Sequence, residues 1–423
     1  MVFQLKEQQV DEDDPFERQR RIEWWDQNIL RKSKMMIVGA GALGNETLKN
    51  LALLGVGGLF IVDFDTISGS NLSRTVLFRK QDIGREKAAA AAEATRALAL
   101  ESTAQVEYFH GDMVWDLGLG VYRRMDVALG CVDNDEARLA TNRACRSVGV
   151  PWINAGILGL SGNVMIFGRD GVCYECNATP EQIQDARSRY DSCESVRKRF
   201  LQEEKMPTVQ VTSALISALQ VQEAIKLIHN QQPATGKRIA FNGLTNGYLV
   251  ITLQPLDECL AHGTYENIRE LPLSAHQGTL ADLFSAIEED LGQDAILDLG
   301  RRFILEIRCR YCGKILPLMR PAHRIFDDEL ICTDCNKNTE EISSRTIVER
   351  MEAFGSKTED KTYIKSVSRF SRKEVPRELL KLTLWDLGIP PLHILSASGI
   401  NGQYKAFELT ADCAKVLGSL ISI

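Results

Sequence analysis

The feature that most constrains this chain is a β-α-β unit near its N-terminus. Lys34–Gly39 is a short apolar run that ends in glycine, which is typical of a buried parallel strand. Asn45–Leu54 has apolar residues at helical spacing, and a second strand, Leu59–Asp63, follows a glycine-rich stop. Parallel strands joined by a helix need a sheet covered on its faces, so the unit predicts an α/β fold.

Glycines occupy the turn between the first strand and the helix. Gly39, Gly41 and Gly44 form a G-x-G-x-x-G pattern, and Asp63 follows 22 positions after Gly41. Such glycines let the backbone approach phosphates at a helix N-terminus, while the acid can bind ribose hydroxyls. The alternative is that they serve only close packing of strand against helix. The position between a strand and a helix favours a nucleotide site.

The same alternation of strands and helices continues along the chain. Lys87–Leu100 and Glu136–Ser147 are predicted helices, whereas Asp126–Cys131 and Pro151–Ala155 are predicted strands. This order predicts a doubly wound, Rossmann-like sheet. Beyond about residue 266 the pattern becomes mixed, which predicts a smaller α+β domain.

We expect three segments. Residues 1–15 are a flexible acidic lead, residues 16–265 form the nucleotide-binding domain, and residues 266–423 form the C-terminal domain. Within the second segment, residues 177–206 are highly charged and lack an apolar period, which indicates an exposed segment. In the third, Thr383–Pro390 is predicted to be a helix closed by a Gly-Ile-Pro stop.

Composition excludes several classes of function. With 57 acidic and 50 basic residues the net charge is −7, which argues against a nucleic-acid binder that relies on bulk charge. The polar, acidic N-terminus argues against a signal peptide, and we see no apolar run of about 18 residues that would span a membrane. We therefore expect a cytoplasmic protein with no nucleic-acid or membrane partner.

Polar residues after the second strand favour a triphosphate ligand. Asp65, Asn71, Arg74 and Lys87 all lie within 25 residues of the strand. Arginine and lysine beside a phosphate loop suit a triphosphate, whose charge must be neutralised during attack at the α-phosphorus. An NAD oxidoreductase needs little more than the glycine pattern, and it stays as an alternative that predicts nicotinamide binding.

A second polar pair follows a later strand. Asp133 and Asn134 come directly after the predicted strand Asp126–Cys131, at the carboxyl edge of the sheet. Ligands bind at this edge in open α/β sheets. A carboxylate there can hold Mg²⁺ through oxygen.

Four motifs together resemble one known family. They are GAGALGN, LALLGVGGLFIVDFDTISGSNLSR, DIGREKA and GCVDND, and the resemblance to the ThiF/MoeB/ubiquitin-activating superfamily covers residues 16–265. Members of this superfamily use ATP to adenylate the C-terminal glycine of a ubiquitin-like or sulfur-carrier protein. The resemblance implies an enzyme of this kind, of bacterial or archaeal type, with ATP and Mg²⁺ in its site.

The resemblance also implies roles for single residues. The phosphates would be lined by Gly39, Gly41 and Gly44, and the ribose would be held by Asp63. The residues implied to contact the triphosphate are Asn71, Arg74 and Lys87, with Asp65 and Asn134 as further binding candidates. Asp133 would be the magnesium-linked catalytic acid.

An N-terminal arginine is the last element that the resemblance implies. The family places it before the first strand, often reaching into the site of a partner subunit. Arg18, Arg20 and Arg21 are the candidates here, and we favour Arg18. Members with a single adenylation domain are commonly homodimers, so the resemblance also implies a homodimer. A solvated face is the alternative for each of these arginines.

The chain has eleven cysteines, and six of them fall in three Cys-x-x-Cys pairs. Disulfide scaffolds are usually short and secreted, so a long chain with this pattern is expected to use thiolates for metal binding or catalysis. Cys131, Cys145 and Cys413 lie in apolar contexts and are expected to be core residues.

Two zinc sites are predicted. One is a zinc ribbon over residues 309–335, which combines two pairs at the expected spacing, Cys309 with Cys312 and Cys332 with Cys335. The other begins with Cys173 and Cys176, which resemble the zinc knuckle of the superfamily, and that knuckle is usually completed by a second Cys-x-x-Cys. This chain has Cys259 and His262 instead, and three cysteines with one histidine are a normal structural set. Free thiols and dithiol redox chemistry are the alternatives.

Cys193 decides between two functions. Arg187, Arg189, Arg197, Lys198 and Arg199 surround it, and nearby cations stabilise a nucleophilic thiolate. Members of the superfamily that feed a conjugating enzyme can carry a thioester-forming cysteine in this crossover segment.

We expect adenylation followed by a thioester on Cys193. The alternatives are a sulfur-carrier adenylyltransferase of the molybdopterin, thiamine or cysteine type without a thioester, and a zinc-dependent scaffold without activity. In either alternative Cys193 is a surface thiol.

Overall fold

The structure is a computed structural model that describes residues 13–184, 207–309, 311–326, 329, 332–335 and 364–422. Most of the predicted lead, residues 1–12, lies outside the described residues, and so do residues 185–206 of the charged segment.

The first sheet has eight strands in the order β3-β2-β1-β4-β5-β6-β7-β8. They are β1 (Lys34–Val38), β2 (Gly58–Asp63), β3 (Gln105–His110), β4 (Val127–Gly130), β5 (Trp152–Leu158), β6 (Ser161–Phe167), β7 (Lys237–Asn242) and β8 (Gly247–Thr252). The five strands β1 to β5 pair in parallel, and β6 to β8 continue the sheet antiparallel. The predicted Rossmann-like sheet is confirmed.

Helices cover both faces of this sheet. They are α1 (Glu17–Arg20), α2 (Gln27–Lys32), α3 (Ala42–Leu54), α4 (Lys87–Leu98), α5 (Leu119–Arg123), α6 (Asp135–Val148) and α7 (Gln210–Ile228). Successive residues of β1 point to opposite faces, so Met35 and Ile37 pack with α3, α4 and α7. Met36 and Val38 pack with α5 and α6 on the other face. Burial on both faces explains why β1 is apolar from Met35 to Val38.

Helix α7 is long and apolar enough by composition to cross a membrane, but 50% of its most apolar window is buried. It packs against α3 and β5. The side-chain amide of Gln220 donates to the backbone oxygens of Gly130 at 3.0 Å and Ile153 at 2.7 Å. These contacts are those of a core helix that covers a sheet.

The second sheet has six strands in the order β11-β10-β13-β14-β9, with β12 also paired to β10. They are β9 (Arg269–Leu271), β10 (Ile296–Arg308), β11 (Ile315–Pro321), β12 (Ile364–Ser371), β13 (Ile394–Ser398) and β14 (Tyr404–Leu409). The helices of this region are α8 (Leu280–Leu291), α9 (Arg377–Leu380) and α10 (Cys413–Leu417). The mixed second region is therefore an α+β unit, as predicted.

The prediction of a helix at Thr383–Pro390 is wrong, since the segment forms turns. Thr383 pairs with Thr279 in an isolated β-bridge, and Gly388 has a left-handed φ of 81°. Only about one helical turn fits between these two fixed points. The segment forms turns instead, because its start is held by a contact to a distant part of the chain.

Candidate functional site

A pocket opens at the carboxyl ends of β1, β2 and β4. Among the residues that line it are Gly39, Gly41, Asp63, Asp65, Asn71, Arg74, Lys87, Asp133 and Asn134. The structure thus brings these nine predicted residues together, although they span 96 positions of sequence from first to last. Strand order explains the convergence, since the carboxyl ends of parallel neighbours meet at one edge.

The glycine loop is built by close backbone approach. Gly39 has a left-handed φ of 95°, which favours glycine. A Cβ on Gly44 would lie 1.9 Å from the backbone oxygen of Gly39, so this position packs the helix against the loop. A Cβ on Gly41 would have no described atom within 4 Å, and it would point into open space. Of the three glycines, Gly41 is the one whose missing side chain leaves room for a ligand.

Asp63 lies at the end of β2 and is held by the loop. Its carboxylate accepts the backbone N–H of Ala40 at 2.7 Å and that of Asp65 at 2.8 Å. Burial raises the pKa of the Asp63 carboxyl above its ordinary value, and the nearby Lys87 ammonium opposes this rise. The carboxylate therefore sits in a fixed orientation beside the glycine loop.

Lys87 begins α4 and is buried at the floor of the pocket. Its ammonium donates to the exposed carboxylate of Asp65 at 2.7 Å. Burial lowers the pKa of Lys87, but the carboxylates of Asp63, Asp65 and Asp133 outweigh that effect, so the pKa is raised overall. Lys87 is thus a fixed positive charge, which suits the neutralisation of a polyphosphate.

Asn71 and Arg74 belong to a short turn on one side of the pocket. Asn71 ends the 3-10 turn Gly69–Asn71, and its side-chain oxygen accepts the N–H of Ser68 at 2.8 Å. The guanidinium of Arg74 donates to the backbone oxygen of Ser70 at 2.6 Å. Both side chains line the pocket while they brace the turn.

Asp133 and Asn134 follow β4 on the opposite side. The side-chain oxygen of Asn134 caps α6 by accepting the N–H of Ala137 at 2.8 Å, so this oxygen is already engaged. Asp133 is exposed at the pocket mouth and lies within electrostatic reach of Lys87. An exposed carboxylate at this edge is an oxygen donor of the kind that Mg²⁺ prefers.

The three candidate N-terminal arginines do not line this pocket. The side chain of Arg18 is 92% exposed, Arg20 pairs with Asp14 at 2.7 Å, and Arg21 pairs with Glu17. The ring of Phe16, next to α1, packs against Gly55 at the end of α3, about 18 Å from the glycine loop at its start. Arg18 therefore does not reach the pocket of its own chain.

The first group of metal ligands comes together from two segments, one with Cys173 and Cys176 and one with Cys259 and His262. Cys173 Sγ lies 3.7 Å from Cys176 Sγ and 3.7 Å from Cys259 Sγ, and His262 Nε2 lies 3.2 Å from Cys176 Sγ. Sulfur atoms on a zinc tetrahedron with bonds of about 2.3 Å are about 3.8 Å apart. Burial raises the pKa of the Cys173 thiol to about 12, a cost that a bound cation removes. This group could hold zinc.

The second group lies at the β10–β11 hairpin. Cys309 Sγ is 3.7 Å from Cys335 Sγ, and Cys312 Sγ is 3.5 Å from Cys332 Sγ. All four sulfur atoms lie within 4.8 Å of one another. Gly313 has a left-handed φ of 77°, which lets the chain turn back between the first two ligands and β11. This group also fits zinc.

The remaining cysteines differ in setting. Cys193 lies outside the described residues. Cys131 and Cys145 are buried, and burial raises the pKa of the Cys131 thiol to about 12. Cys413 is half-buried against the core.

Several pocket residues escaped the sequence analysis. Phe64 follows Asp63 directly and is 44% exposed, Met113 lies beyond β3, and Thr208 follows the charged segment. Phe64 could have been found, since it stands in the motif already identified. Met113 and Thr208 carry no motif and reach the pocket only through the tertiary structure.

Together the fold and pocket define a Rossmann-like α/β protein with a glycine-rich loop at the carboxyl edge of its sheet. A model of the ThiF family matches residues 16–261, more than half of the chain, and the chain belongs to this family. The resemblance identified from the motifs is confirmed.

Two curated relatives illustrate the family. The SUMO-activating enzyme subunit 2 of Dictyostelium discoideum is 38% identical over 158 residues, which cover 36% of this chain and 24% of that protein. The adenylyltransferase and sulfurtransferase MOCS3 of Arabidopsis thaliana is 25% identical over 309 residues, or 69% of this chain and 63% of the relative. The chain thus spans less than two thirds of either relative. Both are named as enzymes or enzyme subunits, in agreement with the prediction of an enzyme.

A crystal structure of E. coli MccB with succinimide resembles the fold. The TM-score is 0.50 at 20% identity, and the match covers 60% of this chain and 75% of that one. At this identity the likeness shows the fold alone.

Proposed function

We propose that this protein uses ATP to adenylate the C-terminal carboxylate of a small ubiquitin-like or sulfur-carrier protein. The observation that carries the proposal is the buried Lys87 ammonium, which faces three carboxylates beside an open glycine loop. A nicotinamide site has no need of a fixed cation at this place. The curated relatives include both a SUMO-activating enzyme subunit and an adenylyltransferase, which supports the same chemistry.

The reaction places a carboxylate oxygen of the carrier on the α-phosphorus of ATP. The bond from that phosphorus to the β-phosphate oxygen breaks, pyrophosphate leaves, and an acyl-adenylate forms. Lys87 and Arg74 would stabilise the charge that develops on the phosphates. Gly41 leaves room for the phosphates beside the N-terminus of α3, whose dipole favours negative charge.

Magnesium would be held by Asp133, whose exposed carboxylate lines the pocket. The ion would supply additional positive charge to the phosphates. Asp63 would hold the ribose, because its carboxylate is already oriented by two backbone N–H groups.

We propose a homodimer in which Arg18 enters the site of the partner. The exposed side chain of Arg18 and its separation from its own pocket by the length of α3 support a role in trans. We also propose the cytoplasm as compartment, since free thiols are stable there.

A thioester on Cys193 is proposed as the second step. Described residues on either side of residues 185–206 lie near the pocket. Gln182 donates to Asp135, the residue after the pocket-lining Asn134, at 2.9 Å, and Thr208 lines the pocket. The Cys193 thiolate would attack the acyl carbon, AMP would leave, and a conjugating enzyme would accept the acyl group. The alternative stops at the acyl-adenylate, which a sulfur donor then converts to a thiocarboxylate.

Carrier-dependent exchange of labelled pyrophosphate into ATP tests the first step. We expect exchange with a β-grasp protein that ends in glycine, and none with the same carrier lacking that glycine. Lys87→Ala should reduce the rate by about 10²–10³-fold, as removal of one charge-stabilising donor does. Lys32→Ala, at the exposed last residue of α2, is the matched control and should exchange at the normal rate. Exchange unaffected by Lys87→Ala would contradict the proposal.

Reducing and non-reducing gels test the second step. The wild-type chain should form a carrier adduct that dithiothreitol removes, and Cys193→Ala should lose the adduct while it keeps pyrophosphate exchange. An adduct that persists in Cys193→Ala excludes Cys193 as the thioester residue. Absence of any adduct in the wild type, with exchange intact, favours the sulfur-carrier alternative.

A further inference from the structure

The wall of the nucleotide pocket beyond β3 is continuous with the C-terminal domain. Gly111 and Met113 line the pocket, and the N–H of Gly111 donates to the backbone oxygen of Asp63 at 3.4 Å. Met113 also lines a second, open pocket whose other walls include Gly300 and Arg301. Met113 therefore lies between the nucleotide pocket and a space that both domains line.

A tight turn connects Met113 to Trp115. The backbone oxygen of Asp112 accepts the N–H of Trp115 at 3.2 Å and that of Asp116 at 2.8 Å. The carboxylate of Asp112 accepts the N–H of Val114 at 2.8 Å. Because this turn is closed by its own hydrogen bonds, we expect a shift of Trp115 to move Met113 as well.

Two buried side chains of the C-terminal domain hold Trp115. The ring of His323 stacks on the Trp115 ring with centroids 4.3 Å apart and planes 6° apart. The guanidinium of Arg301 lies 5.6 Å from the same ring and donates to the backbone oxygen of Trp115 at 3.3 Å. Arg301 also donates to the backbone oxygen of Gly388, which fixes it within its own domain.

The contact continues along the next residues of the segment. The N–H of Gly120 donates to the backbone oxygen of Leu392 at 2.7 Å, and a Cβ on Gly118 would lie 2.1 Å from the backbone oxygen of Pro391. Leu392 belongs to the same buried cluster as Met113. The two domains therefore share a core here.

We propose that the C-terminal domain sets the position of the pocket wall formed by Gly111 and Met113. Arg301 and His323 would be positioning residues that act on this wall through Trp115. The proposal rests on the proposed function, since it takes the pocket to bind ATP. The wall adjoins Asp63, on the side where the ribose is expected. Loss of the contact would widen the nucleoside end of the pocket and leave the phosphate end intact.

His323→Ala and His323→Phe form the test pair in the full chain. Calorimetry would measure the dissociation constant of a non-hydrolysable ATP analogue, and competition would measure that of inorganic tripolyphosphate. We expect His323→Ala to weaken the analogue on the order of tenfold, to leave tripolyphosphate unchanged, and to be rescued by His323→Phe, which keeps a stacked ring. Arg369→Gln is the control, since Arg369 is exposed in the same domain and pairs only loosely, at 3.5 Å, with Asp298.

Thermal melting decides whether a variant is folded, and Arg301→Gln is the second variant if His323→Ala does not fold. Unchanged affinity of folded His323→Ala or Arg301→Gln for the analogue would overturn the proposal. Equal weakening of the analogue and tripolyphosphate would overturn it as well, because that result indicates general damage. A wild-type chain that binds tripolyphosphate but not the ATP analogue would overturn the proposed function, and this proposal with it.

Discussion

The two sheets place their important side chains by different means. In the first sheet, the candidate nucleotide residues follow the ends of β1, β2 and β4, so short motifs carry them. In the second, Arg301 contacts Trp115 across 186 positions of sequence. No motif marks either Arg301 or His323. The first region can be interpreted from local patterns, whereas the second acts through packing that only the folded chain reveals.

The two cysteine groups show the same contrast. Cys173 and Cys259 are 86 positions apart, whereas Cys309 and Cys335 are 26 positions apart. The first group therefore closes a long loop around the first sheet, and the second closes one hairpin. The following predictions test how far this difference extends to stability and binding.

Loss of a metal group should have the largest effect on stability. Cys259→Ser should remove about one equivalent of zinc and lower the free energy of unfolding on the order of 5 kcal/mol. Cys335→Ser should cost about 1 kcal/mol less, since its loop is shorter by between one and two doublings. Metal analysis and denaturant unfolding would measure both. An equal or larger loss in Cys335→Ser would contradict the contrast.

The second-largest effect on stability is expected at the interface between the two domains. Glu408 is fully buried and pairs with Arg123 and Arg124 of the first domain. Glu408→Ala removes the buried partner that both guanidinium groups share and should cost about 3 kcal/mol, since two charge-assisted hydrogen bonds are lost. Glu270→Ala removes an exposed carboxylate 3.0 Å from Arg123 and should cost less than about 1 kcal/mol. Similar losses in denaturant unfolding would show that the buried pair does not join the domains.

Two substitutions in the glycine loop distinguish a glycine needed for packing from one needed for ligand binding. Gly44→Ala places a methyl group 1.9 Å from a backbone oxygen and should cost about 1–3 kcal/mol of stability. Gly41→Ala meets no described atom within 4 Å, so stability should change by less than about 0.5 kcal/mol. The same methyl group should weaken ATP binding, because it occupies the place left for phosphate. Normal ATP affinity in Gly41→Ala would show that the phosphates do not bind beside Gly41.

The smallest effect concerns thiol reactivity. Burial raises the pKa of Cys131 to about 12, so its thiolate forms only as the pH approaches that value. At pH 8 the native chain should spare Cys131 from a thiol reagent, whereas Cys193, flanked by cations, should be modified quickly. Peptide mapping by mass spectrometry would check this, with the denatured chain as control. Equal rates at the two cysteines would contradict the assignment.

Sequence alone predicts much of the first sheet. Met35–Val38 and Leu59–Val62 are apolar on both faces, which is typical of buried parallel strands. The glycine pattern between them is typical of the turn from a strand to a helix at a nucleotide site. The ends of elements were predicted less accurately, since α3 begins at Ala42 and not at the expected Asn45. Local spacing cannot show where neighbouring contacts extend a helix.

The rest depends on contacts between distant residues. Thr383 could not be recognised as a bridge partner of Thr279, and Met113 carries no sign that it faces the pocket. The cysteine pairs are the exception in the second region, because ligand chemistry fixes their spacing.

Titration of Mg-ATP and of NAD into the full chain distinguishes the proposed ATP site from a nicotinamide site. We expect ATP to bind and NAD not to bind, and we expect Lys87→Ala to lose ATP binding while Lys32→Ala keeps it. Binding of NAD in preference to ATP, or ATP binding that Lys87→Ala leaves unchanged, would contradict the proposed ATP site.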